Sequence, residues 1–66
     1  MRRLVFEIRT DNEISHIEFI TDRTPGWTTT QYLRNRPGTV MTLISNNTTD
    51  EKECSSREIT LNDNEK

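Results

Sequence analysis

The chain contains no alanine and eleven threonines in 66 residues. Alanine is the strongest helix former, whereas threonine and the other β-branched residues lose χ1 freedom in a helix and fit a pleated surface. This usage predicts a fold made mainly of strands, with helix only where local capping supports it. The core must also be small, because only 29% of the residues are hydrophobic. A chain of this length buries only about 60% of the surface its unfolded form exposes, and small domains usually compensate with disulfides, a metal or a partner. One cysteine, Cys54, and one histidine, His16, supply neither a disulfide framework nor a zinc site, so no metal and no cofactor are expected. A partner, a homo-oligomer or a compact domain near its stability threshold remains.

Hydrophobic alternation locates the strands. Residues 3–10, RLVFEIRT, place Leu4, Phe6 and Ile8 on one face and Val5, Glu7 and Arg9 on the other. The polar turn Asp11-Asn12-Glu13 leads to residues 14–21, ISHIEFIT. There Ile17 and Phe19 alternate with His16 and Glu18, and Ile14 and Ile20 fall on the opposite face. A β-hairpin is predicted. The loop 21–26 contains Pro25-Gly26. After it, Thr28 is read as an N-cap, Gln31 as its capping-box partner, and Trp27 with Tyr32 as a hydrophobic staple. The helix is then expected over about 29–36, anchored by Tyr32 and Leu33 and stopped by Pro37-Gly38. Residues 39–45, TVMTLIS, read as a third strand with Val40, Leu43 and Ile44 as core candidates, followed by a polar connection over 46–53. Cys54, Ile59 and Leu61 mark a stretch able to add a fourth strand at one edge. The expected fold class is α+β: a small antiparallel sheet of three to four strands with one short helix, β-β-α-β-β, in a single domain over 1–61 with a disordered tail at 62–66.

Charge narrows the function classes. Residues 1–36 carry six basic and five acidic side chains, residues 37–66 three and six, and the whole chain has a net charge of −2. That is no electrostatic footprint of a phosphate-driven nucleic-acid binder. No apolar run reaches the 18 or so residues that span a bilayer, and Met1-Arg2-Arg3 leads into alternation, not a continuous apolar stretch; no membrane association is expected, and the chain reads as cytoplasmic.

A catalytic role lacks the required side chains. His16 lies in mid-strand, neither Cys54 nor any serine stands in an activated-nucleophile context, and Gly26 and Gly38 each follow a proline, so no phosphate-cradling loop is present. Glu7, Glu13 and Glu18 read as a solvated strand face. A binding role is better supplied: Trp27 stands at a loop–helix junction, followed by Tyr32, Arg34, Asn35 and Arg36, and Trp, Tyr and Arg dominate interface hot spots. Trp27 is open to two roles, a staple holding the helix on the sheet or an anchor meeting a partner, and one ring is able to do both. The alternative is a small nucleic-acid-binding or transcription-modulating protein that uses the sheet with Arg2, Arg3 and Arg9.

The string Trp27-Thr28-Thr29-Thr30-Gln31-Tyr32 resembles the Trp-x-Thr-Thr-Gln-Tyr segment of the Dmd-type antitoxins of T-even bacteriophages, with Val40, Leu43, Ile44 and Cys54 in similar later context. The resemblance spans roughly residues 27–46. It implies a phage protein that acts in the host bacterial cytoplasm by binding an endoribonuclease toxin of the RnlA/LsoA type, so that phage messenger RNA survives. It also implies that Trp27 is the tryptophan inserted into the toxin, with Thr28, Tyr32, Asn35 and Arg36 around it. Arg36 stands where the family has a helix asparagine, Asn35 being one place earlier, and Pro37-Gly38 replaces helix-compatible residues. The implied partner is that toxin alone, with no direct nucleic-acid contact.

Overall fold

In the computed structural model, which describes residues 1–60, β1 (Arg2–Arg9) forms the middle of the molecule. It is buried on both faces, Leu4, Phe6 and Ile8 on one side and Val5 on the other. A strand of that kind needs neighbours on both edges. β2 (Ile14–Thr21) pairs with it antiparallel as a hairpin, with Leu4 opposite Phe19 and Phe6 opposite Ile17. β3 (Val40–Thr48) pairs with its other edge, and β4 (Ser55–Ile59) adds to β2, giving the order β3-β1-β2-β4. Together with one helix, α1 (Pro25–Leu33), this is the α+β sheet of four antiparallel strands expected from the alternation. Leu61 and the tail at 62–66 lie outside the described residues.

The helix lies on the face that carries Leu4, Phe6 and Ile8, where Ile17, Phe19, Tyr32 and Met41 complete the core. Phe6, Phe19 and Tyr32 form a ladder of edge-to-face contacts, with ring centroids 5.8 and 6.1 Å apart. Such pairs add about 0.5–1.5 kcal/mol each beyond their burial. Tyr32 is therefore an anchor, as expected.

The helix begins one turn earlier than the sequence suggested. Its N-cap is Thr24, whose Oγ1 accepts from the Trp27 backbone N–H at 3.0 Å, and Pro25 takes the first helical position. Proline is favoured there because its fixed φ suits the helix and its missing N–H is one that no carbonyl would have satisfied. Thr28, expected as the cap, instead lies inside the helix, buried, donating its hydroxyl to the Thr24 carbonyl at 3.0 Å. The Trp27–Tyr32 staple does not form, since Trp27 lies within the first turn. At the other end, Arg34 and Arg36 donate backbone N–H groups to the Gln31 and Leu33 carbonyls at 3.4 and 3.1 Å, a tightened turn that ends the helix before Asn35 and Arg36. Gly38, at φ +81°, then reverses the chain, which a side-chain-bearing residue would resist.

The third strand runs longer and packs less than expected. It continues through Asn46, Asn47 and Thr48, fastened by Arg2, whose Nε donates to Asn46 Oδ1 at 2.6 Å and whose Nη1 donates to Thr48 Oγ1 at 3.2 Å. Val40, Leu43 and Ile44 are exposed, and Met41 makes the core contact. Two causes combine. β3 is an edge strand, with one neighbour and a short helix above it, and the register shifts at Val5/Phe6, so that Ile44 is an extra residue bulged out of the pairing with β1.

Candidate functional site

Five residues were expected to form one binding surface: Trp27, Thr28, Tyr32, Asn35 and Arg36. The helix separates them. Successive residues turn by about 100°, so Thr28 and Tyr32 share the inward face while Trp27 points elsewhere. Thr28 is buried and hydrogen-bonded within the helix, out of reach of a partner. Asn35 and Arg36 are exposed in the turn that follows.

What the fold builds instead is two aromatic–arginine pairs, one at each end of α1. At the N-terminal end, Trp27 is 45% exposed and the Arg23 guanidinium lies 4.7 Å from its ring centroid. At the C-terminal end, Arg36 lies 4.1 Å from the Tyr32 ring centroid, and its Nη1 donates to the Tyr32 carbonyl at 2.8 Å. Exposed cation–π contacts contribute about 0.5–1 kcal/mol. Their larger effect is to hold a flat ring and a charge at a defined place. The two pairs differ in freedom: Tyr32 is committed to the core through Phe19, whereas no core contact holds the indole. Arg23 was not singled out in the sequence, and only a helix start at Thr24 puts it beside Trp27.

Tyr32 and Arg36 border a depression of about 330 Å³ at one end of the sheet, shared with His16, Thr39 and Glu58. Its lining mixes one histidine, two glutamates and several hydroxyl groups at an open surface, without a convergent constellation around one point. The carboxylates of the hairpin are engaged separately. Glu7 Oε1 lies 3.3 Å from Arg9 Nη2, and Glu18 sits between Arg3 and Arg57, 2.9 Å from the Nε of each. The arginines of the nucleic-acid alternative are thus each engaged by a side chain of the sheet: Arg2 by Asn46 and Thr48, Arg3 by Glu18, Arg9 by Glu7.

No family model, curated protein or solved structure matches this chain. No described helix is long and apolar enough to cross a membrane.

Proposed function

We propose that this chain is a small inhibitory binding protein of the antitoxin class, which docks on a bacterial endoribonuclease toxin through Trp27 and occludes its RNA path. The observation that carries the reading is the indole at the helix entrance: 45% exposed, held by Arg23, and not needed to fasten the helix, which is anchored by Thr28 and Tyr32. A rigid aromatic with an arginine over one face is the composition of an interface hot spot. The toxin as partner, and the host cytoplasm as its place of action, rest on the likeness of residues 27–32 to the phage antitoxins. The net charge of −3 over residues 37–66 would favour approach to a basic RNA-binding groove, an effect that weakens with salt.

Co-expression with an RnlA- or LsoA-type toxin tests this. The wild-type chain is expected to restore growth, and Trp27→Ala to lose the rescue while keeping its circular dichroism spectrum. In a binding assay Trp27→Ala should weaken the complex at least about 30-fold, the loss of a hot spot of about 2 kcal/mol. Absence of rescue by the wild type, or equal rescue by Trp27→Ala, rejects the reading.

A further inference from the structure

β4 differs from the other three strands in what holds it. Its five residues, SSREI, bury no side chain: Ser55 to Glu58 are exposed and Ile59 is only partly covered. No residue of the core cluster under the helix comes from it. Among the described residues its one neighbour is β2, along a ladder that runs from His16 opposite Ile59 to Ile20 opposite Ser55. Its one side-chain bond there is Arg57 Nε to Glu18 Oε1, at 2.9 Å. The chain leading into it is equally loose. Thr49 is fixed by its N–H to the Met1 carbonyl at 3.1 Å, but residues 50–54 are exposed and reach the sheet through Glu51, 3.9 Å from Arg3 Nη2.

We infer that β4 is a releasable strap, which leaves β2 while β1, β2, β3 and α1 stay folded, and that the Glu18–Arg57 pair sets how often it does so. A segment opens on its own when leaving uncovers little apolar area and its backbone groups pass directly to water. Both conditions hold for a polar five-residue strand at a sheet edge. Release also strands no charge. Glu18, with a side chain 12% exposed, keeps Arg3 at 2.9 Å after Arg57 has gone, so the carboxylate is never left unpaired. Arg57 itself is 72% exposed, and a contact that open is screened by salt, which makes ionic strength the control on the strap. What the strap covers follows from the register. Glu58 and Ser56 stand opposite Ile17 and Phe19, the two half-buried apolar residues that β2 gives to the core, and Glu58 is the β4 residue that walls the depression beside Tyr32 and Arg36. Release removes that wall and bares the outer edge of β2. The strap does not involve Trp27 and stands independently of the toxin.

Amide hydrogen exchange of the full chain, read residue by residue by NMR, tests this. In about 10 mM salt, protection factors over 55–59 are expected at least about 10-fold below those of β1. Their dependence on urea should be much weaker than that of β1, because local opening exposes little surface. Raising the salt to about 1 M should lower protection over 55–59 by roughly two- to five-fold in the wild-type chain, with no variant needed. Arg57→Gln should produce a fall of about the same size in low salt and remove the salt response, whereas Arg57→Lys should keep most of both. Exchange of 55–59 at the rate and urea dependence of β1 would place β4 inside the cooperative unit and overturn the inference. Protection over 55–59 that ignores both salt and Arg57→Gln would overturn the role of the ion pair.

Discussion

The two faces of the sheet solve the same shortage of apolar residues in different ways. Under the helix, Leu4, Phe6 and Ile8 are sealed by Ile17, Phe19, Tyr32 and Met41, and the stabilisation comes from apolar area and aromatic contact. On the opposite face only Val5 and Ile20 are buried among the residues of the central hairpin, and no helix covers them. There the order comes from charge. Glu18, with a side chain 12% exposed, bridges Arg3 and Arg57, and Glu51 of the β3–β4 connection comes within 3.9 Å of Arg3. Arg3 Nε meets the Glu18 carboxylate at 2.9 Å without hydrogen-bond alignment, so the contact acts as charge more than as a directed bond. One face is held by packing, which salt does not screen; the other is held by ion pairs, which it does.

Substitutions on the two faces should therefore differ in size and in salt response. Phe6→Ala removes the fully buried end of the aromatic ladder and should cost about 3–5 kcal/mol, equal to most of the stability available to a domain of this size. The expected result is loss of a cooperative melt by circular dichroism. A melt displaced by only a few degrees would mean that the covered face is not the main support. Thr24→Ala deletes the cap of the helix that seals that face, at about 1 kcal/mol and up to about 2, measured by urea denaturation; Thr24→Ser should restore most of it.

Across the sheet, Glu18→Gln should cost about 0.5–1 kcal/mol, because both arginine partners are substantially exposed. The difference from wild type should shrink in 1 M salt, where the screening length is about 3 Å. A difference that persists unchanged in salt would show that Glu18 acts by packing. Ile14→Thr should have the smallest effect, within about 0.5 kcal/mol, since Ile14 is 52% exposed on that same face. A larger loss in the concentrated protein would reveal a partner surface there.

The hairpin and the covered core were legible in the sequence because period-two alternation reports directly on which face is buried; Leu4, Phe6 and Ile8 needed nothing else. The later elements depended on competition between signals. Thr28 reads as the cap because Pro25-Gly26 reads as a turn, whereas in the structure Pro25 takes the first helical position and Thr24 the cap. That choice moved Trp27 from the position before the helix into its first turn, and with it dissolved the expected single patch into two ends. The run Val40 to Ile44 looked like core because it is apolar and β-branched. Whether such a run is covered depends on its place in the sheet and on the bulge opposite Val5 and Phe6, and neither is written in the run itself. Arg23 had no signal until the true start of the helix was known.

The central strand is also the one nearest the start of the chain, and this sets the order of assembly. β1 finds β2 across a turn of a few residues, but its other edge stays unfilled until β3 arrives some forty residues later, when Thr49 donates its backbone N–H to the Met1 carbonyl at 3.1 Å. Until synthesis reaches that point the hairpin has one bare edge and no sealed core, and an isolated two-stranded hairpin is at best marginal in water. The hairpin therefore becomes a stable element only when β3 closes its other edge.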